Sequence, residues 1–472
     1  MKVLLIYPNC EGYGRIPIGV SVISACLKRC GHEVRLFDLT FKVSNNIDNE
    51  MREKIGTAKK INTKEYWGEI KDIDIEADLK AEIERFKPKL IGITIIQNNY
   101  WASIELLKTI RGISDAHIVA GGIFATVAPA VFLDSGLVDS VVLGEGEGAV
   151  VELVERIEAG EGIAHIHNVA YRENGRINSN PIRAYVNLDD IPFQDLSIFD
   201  ERHFLKPFDG KMVKAGYFEL TRGCPFSCTY CVNYFLNEKL YCNEIKHIRF
   251  RDVEYSIEEI RTLRDKYKFN FIFFADENML ILSHEKLKKY ATLWNKEIRL
   301  PFYVTTRIEA ASEDKVRILK DMGCATVAFG IECGNEEYRR RVLNRFTSNE
   351  QIIKAFRLCR KYGIRTTANN MFGFPYETED LVFDTIKLNI EASPDSYSLS
   401  IFAPYIGTRL HKICVKEGYV EPGIPRRISI IDESILNMPQ LSKEKIQELY
   451  ANFVKYVSGE LSVPKKYSLK TC

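Results

Sequence analysis

The chain has almost no net charge. Its 65 Lys and Arg residues are balanced by 64 Asp and Glu, which leaves a formal charge of +1 over 472 residues. That balance removes the electrostatic basis for binding nucleic acid or an anionic membrane, both of which draw on an excess of basic groups. Long apolar runs are missing too. The longest, such as residues 89–96 and 269–275, have the length of strands and not of membrane spans. The amino terminus, MKVLLIYP, lacks a charged leader, a long apolar stretch and a small-residue cleavage site, so it reads as a strand and the protein as cytoplasmic. A disordered chain is excluded as well, because 46% of residues are hydrophobic against 27% charged.

What is present is enough sequence for two or three domains. In the first part, apolar strands are predicted at 3–7, 34–39, 90–96, 118–120 and 138–143, with helices at 18–30, 75–86 and 101–112. Residues 42–74 are polar and poorly patterned and read as an insertion or flexible excursion. This alternation predicts a doubly wound parallel sheet with a ligand at the C-terminal edge of its strands. Residues 164–216 carry Asn-Gly, Asn-Pro, Ile-Pro and Lys-Pro turn signals and read as a linker with a short hairpin.

The alternation then resumes, with strands predicted at 217–221, 269–275, 302–306, 326–331, 365–372 and 396–403 and helices between them. Six such units in succession suggest a partial (β/α)6 barrel of TIM type. A helical tail follows, with its clearest helix at 442–459. The expected division is therefore an N-terminal Rossmann-like domain at 1–163, a linker at 164–212, the partial barrel at 213–410 and a helical C-terminal region at 411–472.

Nine of the twelve cysteines are scattered singly, as reduced thiols are. The other three, Cys224, Cys228 and Cys231, sit together in TRGCPFSCTYC. Thiolates are the ligands iron–sulfur clusters use, and three of them leave one iron open. A structural zinc site is the other reading, although no fourth Cys or His in a paired knuckle is evident.

The CxxxCxxC spacing, with aromatic Tyr230 before the last cysteine, resembles the radical S-adenosylmethionine (SAM) superfamily. The resemblance implies a 4Fe-4S cluster on Cys224, Cys228 and Cys231 whose open iron binds SAM, and a one-electron cleavage that yields a 5′-deoxyadenosyl radical. Further segments follow in the superfamily's order over about residues 218–410. Asp276 and Glu277 stand where the methionyl amine is held, although a solvated turn is the plainer reading of them. Thr305 and Arg307 are placed to meet the ribose or the carboxylate. Glu332, in GIECG, is placed for the ribose hydroxyls. Arg345 is either a partner of the methionyl carboxylate or a surface arginine. Phe372, Pro375 and Ala403 lie in segments that run along adenine.

The first domain resembles the cobalamin-binding domain of cobalamin-dependent members of that superfamily. Pro17-Ile18-Gly19, the Gly121-Gly122 turn with Thr126, and Glu145, Gly146 and Glu147 carry the likeness, with Thr94, Gln97 and Asn98 after the third strand. Of these, Gly19, Thr94, Gln97, Asn98, Gly121, Gly122, Thr126, Glu145, Gly146 and Glu147 are the expected cobalamin contacts, with Tyr100 and Trp101 as further candidates to cover the cobalt. Phe124 replaces the histidine common at the turn, and no DxHxxG motif supplies a cobalt ligand. His32 reads as structural, and residues 8–14 are a weak dinucleotide signal.

The resemblance implies a methylase that uses 4Fe-4S, SAM and cobalamin to methylate an unactivated carbon of a small-molecule or natural-product intermediate. It also implies a one-electron reductant such as flavodoxin or ferredoxin, and neither nucleic acid nor membrane as partner. A cyclase, rearrangement enzyme or oxidoreductase with the same cofactors is the alternative. A tRNA methylthiotransferase-like modifier is a further one, for which Cys10, Cys26 and Cys30 would have to hold a second cluster. The tail, around Arg426, Arg427 and Tyr450, is expected to close the barrel mouth.

Overall fold

The computed structural model describes residues 1–10, 15–44, 47–241 and 248–467. Residues 11–14 of the first loop, and Cys242 and Cys472, lie outside the described residues. The chain clusters into two compact units. One takes Met1–Ile47, Asn62–Lys206 and the segment from Phe235, and the other takes Asp48–Ile61, Pro207–Tyr234 and the chain from Ile248 onward.

The first unit holds β1 (Lys2–Tyr7), β2 (Glu33–Asp38), β3 (Leu90–Thr94), β4 (His117–Gly121), β5 (Ser140–Val142), β6 (Val169–Glu173) and β7 (Arg176–Ser179), in spatial order β2-β1-β3-β4-β5-β6-β7. The pairings from β2 to β5 are all parallel. Buried runs such as Val3 to Ile6 and Ile118 to Ala120 suit a sheet covered on both faces. The winding reverses between β1 and β3, which puts the expected ligand crevice beyond their C-terminal ends. The structure adds an antiparallel β6–β7 hairpin to this sheet. Its two-residue turn, Asn174-Gly175, has φ of 51° and 74°, the left-handed pair that matches strand twist. Residues 164–206, expected as a linker, thus fold with the first unit. His32 is structural, its Nδ1 3.1 Å from the Met1 amine.

The excursion at 42–74 is more ordered than its pattern suggests. It contains helices Ile47–Lys54 and Lys64–Trp67. Ile55 joins the core of the second unit, while Trp67 donates from its indole nitrogen to the Arg202 carbonyl of the first at 3.2 Å. Its buried residues are too sparse to show a period.

The second unit holds β8 (Leu205–Phe208), β9 (Lys211–Phe218), β10 (Thr221–Arg222), β11 (Arg249–Phe250), β12 (Phe271–Phe274), β13 (Phe302–Thr306), β14 (Cys324–Glu332), β15 (Arg365–Phe372) and β16 (Ser396–Ile401). From β9 through β12 to β16 the strands pair in parallel and in chain order. Right-handed crossovers that never reverse direction leave the helices on one face, which is the architecture of a partial barrel. The helices start where side chains cap them: Asp252, Ser283, Ser312 and Ser348 each accept from a backbone N–H of the first turn. The first barrel strand spans Lys211–Phe218 and not 217–221. Thr221 and Arg222 instead pair antiparallel with β11.

The C-terminal helix, Lys443–Ser458, starts at the Ser442 cap. It buries Ile446, Leu449, Tyr450 and Phe453 in one cluster with Phe372, Leu399 and Ile401. Tyr450 is therefore a core residue and not a cover for the mouth, and Arg427 pairs with Asp432. No helix among the described residues is long and apolar enough to cross a membrane.

Candidate functional site

The cysteine loop leaves β9 and is tied down at both ends. At its start, Leu220 N donates to the Asp276 carboxylate at 3.2 Å and the Thr221 hydroxyl donates to it at 2.6 Å. Asp276, expected at the methionyl amine, thus spends its oxygens on this loop, and burial raises its carboxyl to about 7. Further on, the Thr229 hydroxyl donates to Val342 O at 2.6 Å, and Thr229 O accepts from Leu410 N at 3.0 Å. Asn344, in the left-handed region at φ 55°, donates to Ser227 O at 2.8 Å. Neither Thr229 nor Asn344 carried a sequence signal, because each works through backbone atoms far away in the chain.

The loop brings Cys224, Cys228 and Cys231 within electrostatic reach of one another. Burial pushes the Cys224 thiol up to about 11 and the Cys231 thiol up to about 12, and negative charge on Glu277 adds to both. Among the described residues no three His, Cys, Asp or Glu side chains are gathered tightly enough for a single metal ion. Cys26 is buried against Leu188 and Ile191 while Cys30 is exposed, so the N-terminal cysteines do not face a common centre.

Around the thiols stands a network of charged side chains, of which Arg307 and Arg345 are buried. Arg307 donates from Nη1 to Cys228 Sγ at 3.0 Å, and Nε and Nη2 form a fork onto Glu309. Arg345 is buried, so the surface reading fails. It donates to Tyr230 Oη at 3.1 Å and to Gly330 O, and lies 3.8 Å from Glu332. Burial raises the Glu332 carboxyl against the lowering effect of Arg345, and burial likewise raises the Tyr230 hydroxyl. Glu332 ends β14 with φ of 67°, and the β14–β15 register shifts beside it. A left-handed glutamate is strained, and such strain collects at functional sites. Gly330 makes room for it, since a Cβ there would sit 2.5 Å from Glu332 Oε1.

The residues expected along adenine make contacts of their own within the fold. The Phe372 ring packs into the core against Phe453. Pro375 O accepts from Tyr338 at 2.6 Å, and Ala403 O accepts from Tyr405 N. Thr305 is half-buried and bonded to the Tyr303 hydroxyl.

In the first unit, the loops at the strand ends are joined through backbone groups. A Cβ on Gly122, at φ 89°, would lie 2.8 Å from both Ile95 N and Ile95 O and 2.9 Å from Thr94 Oγ1. Only glycine allows that approach. Thr126 then bridges two loops, donating to Gly122 O and accepting from Gly144 N, each at 3.0 Å. Asn168 holds the next stretch, donating to Glu145 O at 3.0 Å and accepting from Arg183 N. Gln97 and Glu147 are buried, Asn98, Glu145, Gly121 and Gly146 half-buried, and Gly19 exposed on the first turn of helix Ile18–Arg29. Of the further candidates, Tyr100 turns into the core beside Phe124 and Phe132, which explains the aromatic at the turn, while Trp101 stays partly exposed. His203 escaped sequence reading. It is buried, with Nε2 2.5 Å from Asp38 and Nδ1 2.9 Å from Arg15 O, and so ties Arg15 to the end of β2.

Both sites now have counterparts among known proteins. The Radical SAM superfamily model matches residues 218–388, and the B12 binding domain model matches residues 63–154. The chain thus carries a radical SAM domain and a B12-binding domain. It is 26% identical over 376 residues to an uncharacterized methyltransferase of Pyrococcus horikoshii, covering 79% of each chain. It is 23% identical over 500 residues to the cytidylyl-2-hydroxyethylphosphonate methyltransferase of Streptomyces wedmorensis, covering 96% of this chain and 89% of the relative. In fold it is similar to the radical SAM methyltransferase TsrM of Kitasatospora setae, solved with cobalamin and a [4Fe-4S] cluster. That match has a TM-score of 0.68 and 18% identity, covering 96% of this chain and 80% of TsrM. The radical SAM match spans every charged residue of the network above, and the B12-binding match spans all the expected cobalamin contacts except Gly19.

Proposed function

We propose that the protein is a cobalamin-dependent methyltransferase of the radical SAM class, acting on an unactivated carbon of a small-molecule biosynthetic intermediate. Cys224, Cys228 and Cys231 are the cluster ligands in this reading. Glu332, Arg345 and Tyr230, buried together at the end of β14, are the groups that orient SAM. The edge of the first sheet, from Thr94 through Gly122 and Thr126 to Glu145, receives the corrinoid. When bound, the cluster supplies the electron that splits SAM, and cobalamin carries the methyl group. The protein's part is to hold a dry, charge-lined pocket in fixed geometry, so that the reacting carbon meets its partner without prior reorganisation.

The observation that carries the proposal is the contact of both the Arg307 and Arg345 guanidiniums with Cys228, the middle thiol of the CxxxCxxC loop, in a chain that also has the β2-β1-β3-β4-β5 sheet. Relatives named as methyltransferases support methyl transfer, while a magnesium-protoporphyrin IX monomethyl ester cyclase, 23% identical over 421 residues, supports the cyclase alternative, so product mass decides between them. The test is anaerobic reconstitution with iron, sulfide and hydroxocobalamin, followed by optical and EPR spectra and by product mass after SAM and an external one-electron reductant are added. The expected result is both a cluster and a bound corrinoid, with a gain of one methyl group per product. Cluster without corrinoid would sink methyl transfer, and uptake of neither would sink the whole reading.

A further inference from the structure

Arg307 stands where the superfamily pattern predicts a contact to SAM, yet its donors are committed elsewhere. Nε reaches Glu309 at 3.2 Å and Nη2 reaches the other carboxylate oxygen at 2.5 Å, a bidentate fork that fixes the guanidinium plane. Glu309 is itself held by the Thr347 hydroxyl. Burial opposes its charge, but hydrogen bonds from Arg307 and Thr347 outweigh that and hold the carboxyl at about 2. One face of the guanidinium lies over the Phe226 ring, 3.8 Å from its centroid. The backbone is pinned as well, because Asn278 Oδ1 accepts from Arg307 N at 3.3 Å and from the Thr306 hydroxyl at 2.6 Å. Held on these sides, the guanidinium aims Nη1 at Cys228 Sγ, 3.0 Å away.

We propose that Arg307 is a positioning residue for electron uptake: its N–H···S bond to Cys228 raises the reduction potential of the cluster, and Glu309 orients and tempers it. This inference rests on the reading that the three cysteines hold a 4Fe-4S cluster. Reduction adds one electron from an external one-electron donor to the 2+ cluster and gives the 1+ state, with no bond broken and no proton moved. The added negative charge spreads onto the ligand sulfurs, so a cation donating a hydrogen bond to one sulfur favours the reduced state. A carboxylate behind that cation works the other way, from farther off.

The two residues should therefore shift the potential in opposite directions, which a general loosening of the site would not do. The experiment uses the full chain, reconstituted anaerobically, with the 1+ EPR signal followed at poised potentials and iron counted per chain. No turnover is needed. Arg307→Met should lower the ratio of reduced to oxidised cluster at a given potential about tenfold, equivalent to 59 mV for a one-electron couple. Arg307→Lys, which keeps the charge but loses the fork, should fall between Arg307→Met and wild type. Glu309→Gln should raise the ratio, by about threefold given its greater distance from the sulfur. If Arg307→Met takes up no cluster, the Glu309→Gln and Arg307→Lys results decide. An unchanged or lowered potential in Glu309→Gln, or a wild-type potential in both Arg307 variants, overturns the inference while leaving the radical SAM reading intact. A wild-type chain that takes up no cluster overturns both.

Discussion

At the edge of the first sheet, the candidate site is shaped by backbone: Gly122 against Ile95, and Thr126 and Asn168 gripping the carbonyls and amides of neighbouring loops. In the second unit, the candidate site is shaped by charge: Arg307 on Glu309 and Cys228, and Arg345 beside Glu332 and Tyr230. A large cofactor held over many contacts asks mainly for a surface that approaches closely, and glycine and small polar residues supply it. A cluster and a zwitterionic co-substrate ask for fixed charges in a dry pocket. The first kind of site should respond sharply to bulk and weakly to charge, and the second the reverse.

The largest effect expected is in the second unit. Cys224→Ala should abolish the iron–sulfur absorbance and reduce SAM cleavage by more than about 100-fold, since even outer-shell changes at metal sites cost 10–100-fold. Corrinoid uptake by the first unit should persist, as read from the optical spectrum. Loss of corrinoid together with the cluster would break the separation drawn here.

Next comes bulk at the other site. Gly122→Ala adds a single methyl group, which must displace the Ile95 backbone and adopt a left-handed conformation, a strain of about 1–3 kcal/mol. Corrinoid affinity should fall while cluster content stays at the wild-type level. Equal affinities in the two proteins would show that the turn does not shape the cofactor surface.

A smaller effect is expected at the clamp. Thr229→Val keeps the shape but strands Val342 O, at a cost of about 1–3 kcal/mol for a buried unsatisfied acceptor. Iron should be bound initially and lost faster to a chelator, so off-rates and not spectra are the measure. Unchanged chelation kinetics would assign the clamp no role in holding the loop.

How far these sites could be read beforehand differs with the same contrast. The cysteine loop and the strand-end position of Glu332 were legible because each is local to a motif. The doubly wound sheet and the barrel strands were legible because buried strands are continuous apolar runs. Asn344, Asn168 and His203 were not, for each acts on a carbonyl, amide or carboxylate brought near only by the fold. Asp276 and Phe372 were legible as strand-end residues, but their partners were not. Asp276 turns back to Leu220 and Thr221, and Phe372 turns into the core, because strand-end position fixes the neighbourhood of a side chain but not its partner. The excursion after residue 42 hid its two helices because short helices docked at a few points show little periodicity.

The effect smallest at acid pH, and the most selective for the charge-built unit, concerns Glu377. It is fully buried after β15 and accepts from Gly373 N at 2.5 Å and Phe374 N at 3.2 Å. Burial nonetheless pushes its carboxyl up to about 8. The folded state therefore holds a proton that an unfolded chain releases near pH 4.3, the ordinary value for glutamate. Stability from this proton is complete below that pH and is lost as pH rises through about 8, with a limiting slope of about 1.4 kcal/mol per pH unit. Glu377→Gln keeps an acceptor for both amides and removes the titration. Its thermal midpoint should match wild type near pH 5 and exceed it above pH 8, in the transition of the second unit only, as followed by calorimetry across that range. Parallel pH profiles for the two proteins would mean that the Glu377 carboxylate is stabilised by groups beyond the two amides, and that the pocket at the end of β15 tolerates charge better than its burial implies.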